Sequence, residues 1–334
     1  MKILLTGGTG FIGSHTAVEL LNRGYTVEIM DNLFNSKIKV LDKIEEISGV
    51  RPKFYRVDLL DKEGMDKMME ESCPEIVIHF AGLKAVGESV EQPLKYYENN
   101  VAGTVNLLEC MLKHGVQKLI FSSSATVYGD QYGVKLTEEM QTGVGITNPY
   151  GRTKYMIEEI LKDLAKARPE FAVTILRYFN PVGAHESGLI GEEPNDKPNN
   201  LMPIVMKVAT GEIPELGIYG DDYATPDGTG MRDFIHVVDL ARGHVAAVEK
   251  MQPGVAIYNL GTGVATSVME MVKAFEKESG RTLPYKIMPR RAGDLGKVYA
   301  NSEKAERELD WRAERDIEDA MRDTMHYLEC RNSK

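Results

Sequence analysis

Tyr150 and Lys154 are spaced for acid–base chemistry. They lie in the segment NPYGRTKYMIEEIL, whose composition favours a helix. Residues four apart share one face of a helix, so the phenol and the ammonium are expected to be neighbours. A phenol ordinarily titrates near about 10, and a nearby ammonium lowers its pKa by favouring the phenolate. The pair is therefore predicted to act as a general base toward a hydroxyl group, provided that the rest of the chain supplies a site, because the spacing alone is common.

Ser124 is the natural third member of this group. It ends the serine run of KLIFSSSATVYG, a segment that reads as a strand followed by a turn. Its hydroxyl can donate a hydrogen bond to, or accept one from, the same substrate oxygen that a phenolate would deprotonate. The alternative is a serine that only caps a turn, and Ser122 or Ser123 could take the role assigned to Ser124.

A glycine turn near the start of the chain predicts a phosphate site. Gly7, Gly10 and Gly13 follow a short apolar run and precede the helix-like HTAVELLNRG. Strand, glycine turn and helix allow a close backbone approach to a pyrophosphate, and the helix N-terminus supplies free N–H groups. The spacing is G-x-x-G-x-x-G instead of the more usual G-x-G-x-x-G. The context nevertheless favours a dinucleotide cofactor.

Asp31 indicates which dinucleotide. It ends the second strand-like segment, YTVEIMDN. An acid at this point, about 20 residues after the glycines, binds the ribose hydroxyls of NAD. A carboxylate there also repels a 2′-phosphate, so NAD is predicted rather than NADP. The alternative, an acid that only caps a loop, is weakened because the strand, the acid and the glycine turn occur together.

The order of elements predicts the fold class. Strand-like FYRVDLLD, EIVIHFAG and KLIFSSSATVYG alternate with helical segments, including one predicted helix over 93–115. This alternation is typical of an α/β fold with a Rossmann-type, doubly wound parallel sheet, in which ligands lie at the carboxyl ends of the strands. After residue 180 the chain becomes rich in loops. We therefore predict a Rossmann domain at 1–180, which also receives segments from about 232–262, and a smaller C-terminal α/β substrate lobe at 181–334 with a soft boundary.

Composition narrows the class of partner. The 334 residues carry a formal net charge of -10, which argues against binding to nucleic acid or to an anionic membrane. Cys73, Cys110 and Cys330 are odd in number and show no metal-ligand or C-x-x-C spacing, so we expect no metal and reduced thiols in a cytoplasmic protein. We also expect no signal peptide, because the first strand starts at residue 2, and no membrane span.

Several segments resemble those of the extended short-chain dehydrogenase/reductases. They are TGGTGFIG, FAGLKAV, NNVAGT, SSSATVYG, the Y-x-x-x-K pair and LRYFNPVGAH, and the resemblance runs essentially from end to end. Within that family, NNLMPIV, IYGDDYATPDGTGMRDFIHVVDLA, YNLGTG and RRAGD are similar to segments of enzymes that epimerise UDP-sugars.

The resemblance implies three sets of site residues. The catalytic set is Ser124, Tyr150 and Lys154. The NAD set is Gly7, Gly10, Phe11, Ile12, Gly13, Asp31, Asn32, Asn35, Ser36, Asp58, Leu59, Phe80, Ala81, Gly82, Lys84, Asn99, Ser122, Tyr150, Lys154 and Tyr178. The UDP-sugar set is Lys84, Ser124, Tyr150, Phe179, Asn180, Asn200, Leu201, Tyr219, Arg232, Arg291, Asp294 and Val298. Arginines are expected around a diphosphate because guanidinium groups bind it in a bidentate manner.

The resemblance also implies an activity. The chain is expected to interconvert UDP-glucose and UDP-galactose through a 4-keto sugar, with NAD tightly bound and recycled, in a homodimer formed by helices around 89–115 and 150–168. Val298 is modest in size at a position where bulk restricts N-acetylated sugars, so some activity on UDP-N-acetylglucosamine and UDP-N-acetylgalactosamine is expected as well.

Other activities of the same scaffold remain as alternatives. They are epimerisation of UDP-uronates or UDP-pentoses, sugar-nucleotide dehydration, simple reduction, and NAD sensing without catalysis. Dehydration is disfavoured because Ala125 and Thr126, and not acids, follow Ser124. Reduction with release of the cofactor often uses NADP, against which Asp31 argues, and a sensor can dispense with Tyr150 or Lys154, which this chain keeps.

Overall fold

The computed structural model describes residues 1–131, 133–195, 200–291 and 293–332. The strands are β1 (Lys2–Thr6), β2 (Thr26–Met30), β3 (Lys53–Tyr55), β4 (Ile76–His79), β5 (Lys118–Ser124), β6 (Lys135–Leu136), β7 (Ala172–Tyr178), β8 (Asn180–Val182), β9 (Leu216–Tyr219), β10 (Met231–Arg232), β11 (Phe234–His236), β12 (Gly254–Leu260), β13 (Thr266–Ser267), β14 (Tyr285–Met288) and β15 (Lys297–Ala300). The helices are α1 (Phe11–Asn22), α2 (Val40–Ser48), α3 (Lys62–Ser72), α4 (Val86–Glu91), α5 (Pro93–Tyr96), α6 (Gly103–Lys113), α7 (Pro149–Ala167), α8 (Leu201–Ala209), α9 (Val237–Glu249), α10 (Val268–Ser279), α11 (Glu303–Leu309) and α12 (Ile317–Asn332).

Within these residues the main sheet has seven strands in the order β12-β7-β5-β4-β1-β2-β3. All of its pairings are parallel. Apolar side chains such as Ile3, Leu4 and Leu5 are fully buried because helices cover both faces. The chain winds outward from β1 in both directions, and this reversal opens a crevice at the carboxyl ends of β1 and β4. The predicted fold class is confirmed.

Two hydrophobic cores lie on opposite faces of the main sheet. On one face α1 packs against α2 and α9, and Ile3, Leu5 and Trp311 belong to this core. On the other face α3 packs against α6, and Leu4 and Phe121 contribute to the second core. The alternation of Ile3, Leu4 and Leu5 between the two cores follows from the period of two in a strand.

The predicted helix over 93–115 is wrong in one respect. The segment forms α5 and α6 separated by a π-helical turn at Tyr97–Ala102, which contains Asn99 and Asn100. The 3.6-residue pattern of apolar residues does not reveal such a turn. A π-helical turn differs from an α-helix in its backbone hydrogen bonds, which run from i to i+5, and not in its composition. π-helical turns occur frequently at functional sites.

The third strand is also shorter than FYRVDLLD suggests. β3 ends at Tyr55, and the carboxylate of Asp58 accepts a hydrogen bond from Leu60 N–H at 2.8 Å. This local turn competes with continuation of the strand.

The C-terminal region, together with β6 (Lys135–Leu136), forms small sheets around a third core. They are β13-β10-β15-β6, β11-β8 and β14-β9, and α8, α10 and α12 pack beside them. β12 returns to the main sheet, where Leu260 is the register partner of Tyr178. The exact division of the chain at residue 180 stays a prediction. Among the helices of the described residues, none has both the length and the apolar character that crossing a membrane requires.

Candidate active site

The carboxyl edge of the main sheet gathers most of the predicted cofactor residues. Ser124 at the end of β5 is the register partner of Tyr178 at the end of β7. Parallel pairing also places the ends of β1, β2 and β4 side by side, since Thr6 is the partner of both Met30 and His79. The end of β3 is adjacent as well, because Met30 is the partner of Tyr55. The residues that follow these four ends are Gly7, Gly10, Gly13, Asp31, Asn32, Asp58, Leu59, Phe80, Ala81 and Gly82.

The start of α7 fixes the positions of Tyr150 and Lys154. Asn148 is the N-cap residue, and its side chain accepts a hydrogen bond from Gly151 N–H at 2.8 Å. Pro149 occupies the first turn, where a missing N–H costs nothing. Tyr150 therefore lies in the first turn of the helix, and Lys154 follows one turn later.

Lys154 is almost completely buried, with 5% of its surface exposed. Its Nζ donates a hydrogen bond to Ser122 O at 2.5 Å. The same atom lies 4.8 Å from the ring centroid of Phe121 and 6.0 Å from that of Tyr150. Burial lowers the pKa of Lys154 to about 7, and the negative charge of Glu158 opposes this shift.

The residues of the fold alone do not lower the pKa of Tyr150, although the ammonium of Lys154 is expected to favour the phenolate. Burial raises the pKa of this phenol, and a hydrogen bond with Ser124 counteracts the rise only in part. The physical reason is desolvation of the phenolate, which outweighs the neighbouring groups of the chain. A phenolate at neutral pH thus needs a further positive charge beside the ring, such as that of an oxidised nicotinamide.

The three serines of SSSAT have different neighbours. Ser122 offers its carbonyl to Lys154, whereas Ser123 is buried and donates to Glu158 Oε1 at 2.5 Å. Ser124 Oγ accepts hydrogen bonds from Thr126 N at 3.2 Å and Thr126 Oγ1 at 3.0 Å. Among these three serines, Ser124 is the one whose side chain favours the phenolate of Tyr150. Sequence reasoning missed Thr126, although a hydroxyl two residues after a strand end is a recognisable capping signal.

The glycine turn is built for close backbone approach. Gly7 has a φ of +70°, and a Cβ added there would lie 2.7 Å from Ala81 N. A Cβ on Gly13 would lie 2.5 Å from Gly7 O. Gly10 is the N-cap residue of α1 and has no side chain to cap it, so the N–H groups of Phe11 and Ile12 at the start of the helix face the turn. The helix dipole and these groups suit the pyrophosphate of NAD.

Asp31 lies beside this turn with 8% of its surface exposed. Its carboxylate accepts hydrogen bonds from Thr9 N at 3.2 Å, Leu33 N at 2.8 Å and Ser36 Oγ at 3.2 Å. A buried anion held in this way repels a 2′-phosphate and suits the free ribose hydroxyls of NAD. Asn32 links this residue to the next strand end, because its amide donates to Asp58 Oδ2 at 2.6 Å.

A second loop connects the cofactor edge with the C-terminal region. Lys84 pairs with Glu192 Oε1 at 3.0 Å, and Asn200 Nδ2 donates to the same oxygen at 2.5 Å. Asn100 orders the backbone beside Lys84, since it accepts from Leu83 N at 2.8 Å and donates to Leu83 O at 2.9 Å. Sequence reasoning chose Asn99, which donates to Asn100 Oδ1 at 2.9 Å. It missed Glu192 and Asn100.

Tyr178 is held by a histidine that sequence reasoning did not assign to the site. His244 Nδ1 is 2.9 Å from Leu240 O and donates to it, so Nε2 is left as an acceptor for the Tyr178 hydroxyl. Burial raises the pKa of Tyr178 and lowers that of His244 to about 4, so both groups are neutral. The ring of Phe80 lies 4.9 Å from His244. The two predicted cofactor residues, Phe80 and Tyr178, therefore contact one common partner.

Four residues of the predicted UDP-sugar set form one cluster. Asp294 Oδ2 accepts from Arg291 Nε at 2.9 Å, and Asp294 Oδ1 lies 3.7 Å from Arg232 Nη2. The guanidinium of Arg291 stacks 4.6 Å from the ring centroid of Tyr219. Val298 joins this cluster through the backbone, because it is the register partner of Arg232. Two guanidinium groups side by side suit a diphosphate.

The remaining predicted residues lie around these clusters. Phe179 is buried beside Val127 and Tyr128, and Asn180 donates its N–H to Asp233 O at 2.9 Å. Leu201 begins α8, and Asn35 accepts from Asn195 N at 2.8 Å. Among the described contacts, none joins Asn180 or Leu201 to the arginine cluster.

Three possible metal ligands meet away from this site. The ligand atoms of Asp66 on α3, Cys110 on α6 and His114 directly after α6 lie within 4.8 Å of one another. Asp66 is already paired with Lys113 Nζ at 2.7 Å. The prediction of no metal was based on spacing along the sequence and did not anticipate this group.

The similarity to known proteins covers nearly the whole chain and not only the residues of the site. The model of the NAD dependent epimerase/dehydratase family matches residues 3–261. The UDP-glucose 4-epimerase of Pasteurella multocida is 55% identical over 329 residues, which cover 98% of this chain and 97% of that protein. The UDP-glucose 4-epimerase of Bacillus subtilis is also 55% identical, with 98% and 96% covered.

Solved structures agree with this relationship. The crystal structure of UDP-glucose 4-epimerase from Bifidobacterium longum, in complex with NAD+ and UDP, has a TM-score of 0.97 and 52% identity, with 99% of each chain covered. The enzyme from Stenotrophomonas maltophila, with bound NAD and formylated UDP-arabinopyranose, has a TM-score of 0.96 and 46% identity, with 100% of this chain and 99% of that chain covered. This chain therefore belongs to the NAD dependent epimerase/dehydratase family.

Proposed function

We propose that this protein interconverts UDP-glucose and UDP-galactose by inverting the configuration at C4 through a 4-keto sugar. The observation that carries the proposal is the grouping of Tyr150, Lys154 and Ser124 at the same sheet edge as the glycine turn. Lys154 Nζ donates a hydrogen bond to Ser122 O at 2.5 Å, and the Ser124 hydroxyl lowers the pKa of Tyr150 against the effect of burial. The activities of the relatives support the same conclusion.

The residues of the chain divide the work as follows. Tyr150 takes the proton from the 4-hydroxyl of the sugar and later returns it, while Ser124 holds the same oxygen by a hydrogen bond. Lys154 orients the cofactor and favours the phenolate form of Tyr150. NAD, when bound, takes up the hydrogen and two electrons from C4 and gives them back, so the reaction has no net change in oxidation state.

Inversion requires that the nucleotide is bound firmly while the sugar stays free to rotate. Arg232 and Arg291 are assigned to the diphosphate, with Asp294 holding both guanidinium groups in place. The keto sugar then turns over about its link to the phosphate, while UDP stays fixed. Arg232 on β10 and Arg291 before β15 belong to elements other than α7, which carries the catalytic pair.

The simplest test is turnover without added cofactor. Purified protein is incubated with UDP-galactose alone, and the products are separated and identified. We expect UDP-glucose to form and NAD to accompany the protein at close to one per chain. Activity only after addition of NAD or NADP, with release of a reduced cofactor, would point instead to a simple reductase.

We further propose that the site accepts N-acetylated UDP-sugars. Val298 is partly buried on β15 and packs near Phe179, next to the arginine cluster. Its side chain is modest, so it leaves room for an acetamido group. Parent protein should turn over UDP-N-acetylglucosamine, and Val298→Tyr should lose this activity while keeping activity on UDP-glucose. An unchanged ratio of the two activities in Val298→Tyr would contradict this assignment.

We also propose that the protein is a homodimer and that it is located in the cytoplasm. Leu94, Val90 and Met156 are exposed to 80%, 59% and 45% on α5, α4 and α7, which pack against each other. An exposed apolar patch of this kind fits a second copy of the chain. Leu94→Glu should shift the mass in analytical ultracentrifugation from dimer to monomer, whereas Val264→Glu on another surface should not. The described cysteines are free, as expected for a reducing compartment.

A further inference from the structure

Glu158 is a fully buried carboxylate next to the proposed catalytic helix turn. It lies on α7 four residues after Lys154, with 0% of its surface exposed. Its Oε1 accepts from Ser123 Oγ at 2.5 Å and from Arg177 Nε at 3.0 Å. Its Oε2 accepts from Arg177 Nη2 at 2.7 Å. Burying a charged carboxylate costs desolvation free energy, so this arrangement calls for an explanation.

The partners of Glu158 are register partners of each other. Ser123 on β5 lies opposite Arg177 on β7, one residue before the pair Ser124 and Tyr178. Glu158 therefore docks α7 onto the two strands at a point immediately before the proposed catalytic edge. A shift of α7 along the sheet would break three hydrogen bonds to this one carboxylate.

The network continues to the turn that follows Ser124. Arg177 Nη1 donates to the Tyr128 hydroxyl at 3.0 Å, and this hydroxyl donates to Asn259 Oδ1 at 2.7 Å. Asn259 lies on β12, at the far edge of the main sheet. The elements that carry Ser124, Tyr150 and Tyr178 are thus joined through Glu158 and Arg177.

Few charged or titratable groups face Lys154. From α7 they are Tyr150 and Glu158, and from β4 it is His79, whose pKa burial lowers to about 3 so that it stays neutral. Arg177 on β7 is paired with Glu158. Glu158 is accordingly the anion that faces the buried ammonium of Lys154 among the described residues.

We propose that Glu158 is a positioning residue for the reaction: it fixes α7 against β5 and β7 and so holds Tyr150 and Lys154 at the end of β5. This inference rests on the proposed function, because it concerns how the acid–base pair of Tyr150 and Lys154 is held in place. A merely structural role, in which Glu158 only compensates Arg177, makes a different prediction. It affects stability and leaves the titration of Tyr150 in place.

The experiment compares Glu158→Gln with the double variant Glu158→Gln/Arg177→Met. The single variant removes the anion without changing shape, but it leaves Arg177 buried without a partner, which can prevent folding. The double variant removes this unpaired charge and so keeps the test valid where the single variant does not fold. Asp239→Asn is the matched control, because it breaks another buried pair, with Arg315, away from the site.

The main readout is the dependence of kcat/KM on pH, which reports the base of the free enzyme. Loss of the three hydrogen bonds to Glu158 lets α7 shift against β5, so Tyr150 moves away from Ser124, whose hydroxyl favours the phenolate. On the acidic side of the profile kcat/KM rises with pH as the base loses its proton. We expect this rise to occur about one pH unit higher in the double variant, which is about a tenfold loss of kcat/KM at neutral pH. Asp239→Asn should lower the melting temperature and leave this rise in place.

A second readout does not depend on turnover. The tyrosinate absorbance of Tyr150 is titrated as the difference between each protein and its Tyr150→Phe version, with NAD bound, and it should shift in the same direction. A folded double variant whose pH profile and absorbance titration both match the parent would overturn the proposal. Absence of epimerase activity in the parent protein would instead overturn the proposed function, while the absorbance titration would still decide the role of Glu158.

Discussion

The Nζ of Lys154 lies 2.5 Å from the carbonyl oxygen of Ser122. This bond ties the helix that carries the proposed base to the strand that ends in Ser124. It also removes the ammonium from water, and burial lowers the pKa of Lys154 to about 7. The acid–base group is therefore assembled by the backbone of β5 as much as by the helical spacing of its side chains.

Replacing Tyr150 by Phe should abolish most of the turnover. General acid–base catalysis contributes about 10²–10⁴-fold, so kcat should fall by about that factor, while NAD remains bound and the melting temperature changes little. Tyr155→Phe is the matched control on the same helix and should retain activity. Turnover by Tyr150→Phe within tenfold of the parent would mean that another group is the base.

The pKa of Lys154 predicts a pH-dependent contribution to stability. Burial lowers it from 10.5 to about 7, so between these values the unfolded chain binds more protons and the free energy of unfolding rises with pH. Lys154→Met lacks this group, and its stability relative to the parent should therefore decrease as the pH rises from about 7 to about 10. Urea unfolding of both proteins at the two pH values measures the difference. Equal differences at both values would contradict the assigned pKa.

Replacing Gly13 by Ala should prevent retention of NAD. The added Cβ would lie 2.5 Å from Gly7 O, which forces the turn open. The purified variant should carry far less NAD than the parent, as quantified after acid extraction. Gly87→Ala is the control, because a Cβ there meets nothing within 4 Å. A Gly13→Ala protein with full NAD content would show that the turn does not hold the pyrophosphate.

Arg232→Met should weaken binding of the substrate more than it slows the chemistry. A hydrogen bond to a charged group contributes about 1.5–3 kcal/mol, which corresponds to an increase in KM of about 10- to 150-fold. Arg290→Met is the matched control, since Arg290 pairs with Asp222 and is exposed. A change confined to kcat in Arg232→Met would place this arginine at the reacting carbon instead of the diphosphate.

The sequence allowed prediction of those features that depend on local spacing. The glycine turn, the acid after β2 and the pair on α7 are all patterns within a few residues or a single βαβ unit. The contact between Tyr178 and His244 joins residues 66 apart, and that between Lys84 and Glu192 joins residues 108 apart. No local pattern signals such contacts, so sequence reasoning missed His244 and Glu192.

The net direction of the Tyr150 pKa shift in the chain alone could not be predicted for a related reason. Helical spacing places an ammonium near the phenol, but it does not say how much water the fold removes from either group. Burial is a property of the complete structure, and here it raises the pKa of Tyr150. The doublet Asn99–Asn100 did mark a functional segment, yet only the π-helical turn shows that Asn100 is the buried member.

The central claim is that the hydrogen removed from C4 returns to C4 of the same sugar without leaving the protein. The most direct measurement is to incubate the protein, with no added cofactor, with UDP-galactose that carries deuterium at C4. The account predicts UDP-glucose that retains deuterium at C4 in ordinary water. Product that has exchanged this deuterium for solvent hydrogen would contradict the account.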